Sequence, residues 1–447
     1  MRKILFLFLV LSSISAYPQK VLTLNEAINI ALQKNSDLKK NINNLKTFES
    51  NVLASYGNFL PSLSAGGGWR WSRSEDEGTT FNIGGATFTT PPSTIENRSY
   101  NASVDAGWTL FDGLSNLATL SQSKSDLKAA EFSLERLKQD IVFQTISFYY
   151  DVINAQQLLK VREDDVKQQQ KNLETVTERN KLGAVTLADV YAQQVALGNA
   201  ELERIRVSNA LSTAKSNLLY YLGLDVFEDY TFPEDLSSDE MGELESNLTK
   251  NYEDISTLVN KALSDRLDYQ SAMLSLESAY DGVTIARSGH FPRLSNSMGF
   301  STFANRFNDL FESKTYSVGL TLSIPIFSGF SIDNRVQFAQ VTAMNREVEV
   351  NDLEREIKRS IQKTYLDLQA AEKSLNVSEN NVKAAEENLK IEQEKYSLGS
   401  SKLLDVLVAT TNYTTARTNF INAQFAYIVL SEQLKYYLGV LDYSQYK

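Results

Sequence analysis

Apolar residues recur every seven positions over long stretches in both halves of the chain. This heptad spacing is typical of helices that pack side by side as coiled coils. The pairs Leu182-Gly183 and Leu398-Gly399 interrupt the stretches, so each half is predicted to contain a long helical hairpin that turns at its Leu-Gly pair. The most regular runs are Ile361, Leu368, Leu375, Val382, Leu389 and Tyr396 before the second turn, and Val406, Tyr413, Phe420, Tyr427 and Leu434 after it.

Two shorter stretches alternate apolar and polar residues instead. Apolar residues occupy the even positions from Tyr100 to Leu110 and from Tyr316 to Ile326, with mostly polar or small residues between them. A period of two over about 11 residues predicts a tilted strand that crosses a bilayer, with one side in lipid and the other on a lumen. Residues 63–71 and 294–303 supply weaker partner strands, joined to the first two by polar loops at 72–97 and 305–315. Four strands of a soluble sheet are the alternative.

Aromatic side chains with a polar atom favour the interface between a membrane and water. All three tryptophans fall in the predicted strands. The candidate interface residues are Trp69, Trp71, Trp108, Tyr100 and Tyr316. Pro325 has no N–H to donate to a neighbouring strand, so it is tolerable only near the end of its strand.

The two halves align with each other, which indicates a tandem duplication. A shift of 231 positions relates the first part of each half, and a shift of 216 positions relates the rest. The first half therefore has the longer insertion, between Trp69 and Tyr100. Matched pairs under the two shifts are Ala31 and Ala262, Pro61 and Pro292, Gly113 and Gly329, Gly183 and Gly399, and Gly223 and Gly439.

The first residues are typical of a secretory signal peptide. Arg2 and Lys3 precede an apolar run that is well short of the roughly 20 residues a spanning helix needs. Small residues lead to Ala16, near which cleavage is predicted. A membrane anchor is the alternative. Export would leave strands as the only route into a membrane.

The predicted divisions follow from these patterns. Residues 1–16 form the signal peptide, and residues 17–223 form the first repeat, with an outer helix, a β-hairpin at about 62–110 and the long helical hairpin at 114–222. Residues 224–254 form an acidic linker in an equatorial region. Residues 255–447 form the second repeat, with an outer helix, a β-hairpin at about 293–327 and the long helical hairpin at 331–438. Thr23 with Glu26 opens the first outer helix, which is predicted to run on to about Gly57.

Composition excludes several chemistries. The 447 residues include no cysteine and one histidine, His290. A thiol nucleophile, a disulfide framework and a Cys-ligated metal are therefore excluded, and one histidine cannot build a His-rich metal site. The net charge of -11 argues against a nucleic-acid binder. No carboxylate pair lies in a recognisable catalytic frame, so no enzymatic activity, cofactor or metal is expected.

Four strands cannot close a barrel, and an open sheet edge cannot face lipid. The chain is therefore predicted to oligomerise. Because small outer-membrane barrels begin at eight strands and are even-numbered, the strands alone leave both a dimer and a trimer open.

Two repeats of helix, proline, β-hairpin, Phe-x-Gly and long helical hairpin resemble the TolC family of outer-membrane efflux channels. The resemblance covers residues 24–441. It implies a mixed fold, in which long α-helical coiled-coil hairpins and four transmembrane β-strands per chain are duplicated in tandem. The most specific matches are Tyr396-Ser397-Leu398-Gly399 with Leu404-Asp405-Val406-Leu407, and Leu182-Gly183 with Ala188-Asp189-Val190.

The resemblance also implies an assembly. A homotrimer would form a 12-stranded β-barrel in the outer membrane of a Gram-negative bacterium, continued by an α-helical barrel in the periplasm. Its partners would be outer-membrane lipid, a periplasmic adaptor (membrane fusion protein) and an inner-membrane transporter.

Asp189 and Asp405 lie in the first turns of the helices that follow the two Leu-Gly pairs. In a trimer they would place carboxylates around a narrow mouth, where like charges favour bound cations and raise one another's pKa. The two residues are therefore a candidate pore gate and cation filter. The alternative is a helix-start role, because Thr186 with Asp189 resembles a capping box. Lys402 stands at the aligned position before Asp405, so the helix-start role is expected to be weaker there.

The family resemblance implies that Tyr396 helps to lock the closed mouth and that the adaptor binds the turns. The turn glycines also suit a helix C-cap, and both roles are predicted together. Ser401 stands where some members have an arginine that bonds across the gate, and Val408 where some have a second acidic ring. The turn residues are Leu182, Gly183, Ala184, Val185 and Thr186, and Leu398, Gly399, Ser400, Ser401 and Lys402.

The predicted function is a passive trans-periplasmic duct of a tripartite efflux or secretion system, exporting drugs, toxic compounds or polypeptides. The competing hypothesis is a secreted coiled-coil structural or adhesin-like protein.

Overall fold

The computed structural model describes residues 20–233, 255–441 and 443. The predicted signal peptide and residues 234–254 of the predicted acidic linker lie outside the described residues. The chain divides into two compact units. The strand unit contains residues 42–133 and 268–353, and the helix unit contains the described residues of 1–41, 134–267 and 354–447.

The two halves of the chain repeat one order of elements. The first half contains β1 (Lys20–Val21), α1 (Leu24–Lys34), α2 (Ser36–Gly57), β2 (Ser62–Asp76), β3 (Thr80–Ile83), β4 (Ala86–Thr89), β5 (Ser93–Phe111), α3 (Ser115–Lys181), α4 (Leu187–Leu222) and β6 (Tyr230–Thr231). The second half contains α5 (Ile255–Asp265), α6 (Leu267–Ser288), β7 (Arg293–Ala304), a short 3-10 helix (Phe307–Asp309), β8 (Lys314–Ser323), α7 (Ser331–Ser397) and α8 (Leu403–Leu438).

Equivalent helices have equal lengths. Helices α1 and α5 have 11 residues each, and α2 and α6 have 22. Helices α3 and α7 have 67 residues each, and α4 and α8 have 36. The shift of 231 positions relates both ends of the first two pairs, and the shift of 216 positions relates both ends of the other two. The duplication seen in the sequence is thus preserved in every long helix.

The strand unit contains one four-stranded antiparallel sheet, in the order β2-β5-β7-β8. Directly paired residues lie on the same face of a sheet. One face therefore carries the apolar and aromatic residues, and the other carries glycine and small polar residues, as the period of two predicts. The apolar face includes the pairs Trp69 with Tyr100, Val104 with Phe300, and Met298 with Val318, whereas the polar face includes Gly66 with Ser103 and Ser297 with Gly319.

The segment 72–97 was predicted to be a loop, and most of it is strand. β2 continues to Asp76 and β5 begins at Ser93. Arg73 pairs with Glu96 across these extensions, with a nitrogen–oxygen distance of 3.8 Å. Such cross-strand pairs stabilise a ladder beyond its apolar part. Strands β3 and β4 form a separate hairpin between the extensions.

Strand β8 is shorter than the alternation predicts. The apolar pattern continues to residue 326, but β8 ends at Ser323. Pro325 has no N–H for the ladder, so pairing stops before it.

The helix unit has its own apolar core, formed by α1, α3, α4 and α8 together with Leu22, which follows β1, and with Tyr230 and Phe232 in and after β6. Strands β1 and β6 are parallel. The fully buried members of this core include Leu22, Ile28, Val142, Ile146, Leu218 and Leu222. None of the described helices is long and apolar enough to cross a membrane.

The first outer helix does not run unbroken to Gly57 as predicted. It breaks at Asn35, between α1 and α2. The Asn35 side chain accepts the N–H of Asp37 at 2.9 Å and of Leu38 at 3.1 Å, so it starts a new helix. Its Nδ2 donates to the Tyr221 carbonyl at the end of α4, at 3.5 Å.

Arg266 occupies the equivalent position in the second half and shares one of these contacts, the bond to a helix-end carbonyl. It lies between α5 and α6, and its Nη1 donates to the Tyr437 carbonyl at the end of α8, at 3.1 Å. Both side chains are buried. The last carbonyls of a helix have no hydrogen-bond donor within the helix. Asn35 and Arg266 each provide a donor for one such carbonyl.

Candidate functional site

The first turn joins α3 to α4 and contains Gly183 in a left-handed conformation, with φ of 73°. The Ala184 N–H donates to the Arg179 carbonyl at 2.8 Å, which closes the end of α3. The Asn180 side chain donates to the Val185 carbonyl at 2.8 Å. Leu182 is 83% exposed at the tip.

The first candidate gate residue, Asp189, contacts Thr186. The Thr186 N–H and hydroxyl donate to Asp189 Oδ2 at 2.9 and 2.7 Å. The Asp189 N–H donates back to Thr186 Oγ1 at 3.3 Å. This reciprocal pair is the capping box that the sequence offered as one of two roles for Asp189.

The second turn joins α7 to α8 and repeats the first. Gly399 has a φ of 76°, and the Ser400 N–H donates to the Lys395 carbonyl at 2.9 Å. Leu398 is 82% exposed, so it occupies the tip as Leu182 does.

Asp405 also lies at the start of its helix, but only half of the capping box is formed there. The main-chain N–H of Lys402 donates to Asp405 Oδ2 at 3.1 Å, whereas the Lys402 side chain makes no cap hydrogen bond, because an ammonium group cannot accept one. The weaker helix-start role expected at Asp405 stays a prediction. The hydroxyl of Ser401 lies 3.0 Å from the same oxygen and 2.8 Å from Glu392 Oε2. A hydroxyl has one proton, so Ser401 donates to one carboxylate at a time.

These bonds change the acidity of the two carboxylates. The Lys402 N–H holds the pKa of Asp405 below its ordinary value, and the Ser401 hydroxyl adds to this effect. The bond from Lys395 does the same for the pKa of Glu392. In the single chain Asp405 is thus stabilised as an anion. The mutual raising of pKa predicted for a ring needs neighbouring copies, and it stays a prediction.

Tyr396 lies between the two hairpins of the helix unit. Its ring packs against a small apolar cluster that includes Val176, Val190 and Leu403. The guanidinium of Arg179 lies 4.6 Å from the ring centroid, and Arg179 Nη1 donates to the Tyr396 carbonyl at 2.9 Å. Burial raises the pKa of Tyr396. Its hydroxyl has no hydrogen-bond partner among the described residues.

Arg179 was not among the residues singled out in the sequence. A cation in the last turn of a helix is ordinary, because it offsets the helix dipole, so nothing in the pattern distinguishes Arg179 from other such cations.

The aromatic side chains predicted at the membrane interface lie on the sheet, where they are exposed or, for Tyr100, partly exposed. Trp69 pairs with Tyr100 on the neighbouring strand. Tyr316 packs on Phe300, with ring centroids 5.2 Å apart. Trp108 Nε1 donates to the Phe59 carbonyl at 2.9 Å. Tyr100 and Trp108 are about 26 Å apart along β5 at the usual rise of a strand. The usual tilt of barrel strands would reduce this to about 20 Å along the membrane normal, which lies within the apolar band of about 25 Å of outer-membrane barrels.

The arrangement has no obvious place for a metal. In residues 20–233 and 255–441, no group of three or more His, Cys, Asp or Glu side chains could hold a metal ion.

A duplicated chain with two long helical hairpins and a four-stranded amphipathic sheet defines the class of outer-membrane channels with helical extensions. The family model described as "Outer membrane efflux protein" matches residues 27–224 and 258–440, and the chain belongs to this family. The predicted family, fold class, outer-membrane location and efflux function are confirmed, and the secreted structural alternative is wrong.

Two curated relatives span most of the chain. Outer membrane protein TolC of Salmonella enteritidis is 22% identical over 358 residues, which are 78% of this chain and 70% of the relative. Protein CyaE of Bordetella pertussis is 24% identical over 407 residues, which are 90% of this chain and 80% of the relative.

Solved structures share the fold. The outer membrane protein VceC of Vibrio cholerae has a TM-score of 0.80 at 20% identity, with 93% of this chain and 96% of that chain covered. The CmeC outer membrane channel of Campylobacter jejuni has a TM-score of 0.79 at 18% identity, with coverage of 93% and 85%.

Proposed function

We propose that three copies of this chain form a passive export duct through the outer membrane and the periplasm. The periplasmic mouth is gated at the hairpin turns, where a periplasmic adaptor docks and connects the duct to an inner-membrane transporter. The chain itself catalyses no reaction. Relatives named as efflux pump outer membrane proteins, such as TtgC of Pseudomonas putida, support a role as one part of a pump.

The observation that carries this proposal is the open sheet. Strands β2 and β8 each have one neighbour within the chain, so both outer edges of the sheet lack a partner among the described residues. One face is apolar, with exposed side chains such as Leu63, Val318 and Leu320. An unpaired edge cannot face lipid, and joining edges between copies removes it.

The long helices also expose apolar side chains that a second copy would cover. Val195, Leu202 and Ile205 on α4 are more than half exposed, as are Leu366 and Val377 on α7. Apolar surface of this kind marks contacts between proteins. The helices and the sheet therefore favour association in the same assembly.

The proposed gate is tested by single-channel conductance of the detergent-extracted oligomer in planar bilayers, with and without a trivalent cation such as hexamminecobalt(III). Asp405→Asn removes the charge but keeps an oxygen that accepts the Lys402 N–H. We expect wild-type pores that the cation blocks, and block weakened about ten-fold or more in the variant, because carboxylates arranged around a narrow mouth attract the cation together.

Asp189→Asn is the matched variant at the equivalent position of the first repeat. If the cation blocks the pores of both variants as well as it blocks the wild type, the duct is supported. Both carboxylates then act only at the starts of their helices. A folded oligomer that never conducts would overturn the duct itself.

A further inference from the structure

A cavity of about 450 Å³ lies in the helix unit, between α3 and the second hairpin, which consists of α7 and α8. Pockets that bind small molecules usually have volumes of about 300–1,000 Å³, so this cavity is large enough for a small organic molecule. Three helices of one chain supply its walls, and no second copy is needed to form it. Its lining includes Lys171, Asn172, Val176, Arg179, Tyr396 and Leu403.

Two polar atoms of these lining residues are buried without a hydrogen-bond partner among the described residues. They are Nδ2 of Asn172 and the hydroxyl oxygen of Tyr396. The Gln168 side chain donates to Asn172 Oδ1 at 2.9 Å, so the orientation of the Asn172 amide is fixed and its Nδ2 is left to donate. Buried donors are rarely left without an acceptor, because the loss of hydration is costly. A ligand that accepts hydrogen bonds would satisfy both groups.

The charges around the cavity favour an anion. Among the described residues, the lining contains two cations, Lys171 and Arg179, and no carboxylate. Neither cation forms an ion pair in the described part of the chain. Arg179 uses one of its five N–H groups to bond the Tyr396 carbonyl, so other donors remain. The charge of Asp189 reaches Tyr396 from outside the cavity, but Asp189 Oδ2 already accepts the N–H and hydroxyl of Thr186.

One wall of the cavity is apolar. Val176 on α3 and Leu403 on α8 are buried, and they belong to the same cluster as the Tyr396 ring. The contact of apolar ligand groups with such a wall removes apolar surface from water. Donors and cations on one side and apolar side chains on the other suit a molecule with a charged end and an apolar end.

The second repeat has the opposite charge at the equivalent places. The position equivalent to Lys171 is Glu387. The position equivalent to Val176 is Glu392, which lines a separate cavity together with Asp405 beside the second turn. The combination of cations, free donors and apolar side chains is therefore not a general property of these hairpins.

We propose that this cavity binds a small amphipathic organic anion, a carboxylate, sulfonate or phosphate attached to an apolar group. Lys171, Asn172 and the Tyr396 hydroxyl hold the charged group. Val176 and Leu403 contact the apolar group. This binding site goes beyond the proposed function, and its test needs no conducting pore.

The probe is 2-naphthoate, which has one carboxylate on an apolar double ring. Equilibrium dialysis against the detergent-extracted oligomer, with the same detergent on both sides, measures its binding. We expect saturable binding of one probe per chain, with a Kd on the order of 0.1–1 mM. The amide 2-naphthamide has a similar shape without the charge, and it is expected to bind about ten-fold more weakly, because a hydrogen bond to a charged group is stronger than one to a neutral group.

One pair of variants tests the assigned residues. Asn172→Asp keeps the oxygen that accepts the Gln168 N–H and replaces the free donor with a negatively charged oxygen, so naphthoate binding should weaken about ten-fold or more. Asn388→Asp is the matched control, because Asn388 is the equivalent residue of the second repeat and lies outside this cavity. Its affinity for naphthoate should equal that of the parent. Tyr396→Phe removes only the hydroxyl and should give an intermediate loss. Circular dichroism and size-exclusion chromatography establish that each variant is a folded oligomer.

Four results would overturn the site. The first is a parent oligomer without saturable binding of naphthoate, and the second is equal binding by folded Asn172→Asp and Asn388→Asp oligomers. The third is one probe per oligomer, which would place the ligand on an axis shared by the copies. The fourth is inorganic phosphate that competes as well as naphthoate does, which would remove the apolar part from the recognition. None of these results depends on conduction, so the proposed duct is judged separately.

Discussion

One carboxylate oxygen holds the start of each helix that follows a turn. Asp189 Oδ2 bonds the main chain and side chain of Thr186. Asp405 Oδ2 bonds the Lys402 main chain and lies within reach of the Ser401 hydroxyl. A carboxylate in the first turn of a helix is favoured by the helix dipole. The gate role proposed for these residues is therefore added to a local role, and experiments must separate the two.

The acidity of Asp405 gives a prediction for low pH. The pKa of Asp405 in the folded chain lies below its ordinary value. The bonds of Asp405 therefore stabilise the helix start fully when the pH is above the ordinary pKa. This stabilisation is lost as the pH falls through the pKa of the folded chain. We expect hydrogen-exchange protection of the first turn of α8 to fall below about pH 4, after correction for the intrinsic rate. In Asp405→Asn this pH dependence should be absent, and its persistence there would assign it to another group.

Substitution of Gly399 tests the backbone of the second turn. Its φ is 76°, and an added Cβ would meet no atom within 4 Å in the described part of the chain. Gly399→Ala is therefore expected to cost only the left-handed strain, about 1–2 kcal/mol.

Gly113 is the comparison for Gly399. It has a similar φ of 71°, but an added Cβ would lie 2.7 Å from the Phe291 Cβ and 2.7 Å from the Ser288 carbonyl. Gly113→Ala should lower the midpoint of thermal unfolding more than Gly399→Ala does. Equal losses would mean that crowding at Gly113 is relieved without cost.

At the scale of elements, the breaks at Asn35 and Arg266 depend on distant partners. Arg266→Ala would leave the partly buried Tyr437 carbonyl without this donor and remove a buried side chain, and we expect it to destabilise the helix unit by about 1–3 kcal/mol. Arg346→Ala is the matched control, because the Arg346 pair with Glu349 is about half exposed and is expected to contribute little. Denaturation of the solubilised protein measures both.

Periodicity was enough to predict the long helices, the turns and the two main strands. The spacing of apolar residues shows which side of a helix or strand packs against apolar surroundings, and it can be read from neighbouring positions alone. The break at Asn35 has a local cause, because its side chain accepts the N–H groups of Asp37 and Leu38, but this signal lies inside a continuous helical pattern and was missed. Arg179 was missed because its partner lies 217 positions away. The strand extensions were missed because polar cross-strand pairs carry no apolar period.

At the scale of the whole molecule, the open sheet edges and the exposed apolar helix positions predict an oligomer. We expect native mass spectrometry of the detergent-extracted protein to find three chains per particle, as the proposed trimeric duct requires. The four strands of each chain and the even strand numbers of closed outer-membrane barrels are satisfied by two chains or by three. A dimer would also close a barrel, and its detection would contradict the trimer but not the duct. A monodisperse monomer would contradict both.

The equal lengths of the paired helices have a practical consequence for engineering. One residue inserted into an α-helix turns every later side chain by about 100° and moves its apolar stripe away from its partner. The four pairs of helices have kept their lengths since the duplication, whereas the strand region between Trp69 and Tyr100 has not. The turn at Gly84 and Gly85, whose φ values are 60° and 90°, lies in that variable region. A peptide epitope inserted there would be tolerated, and antibody binding to it on intact cells would report how many ducts reach the surface.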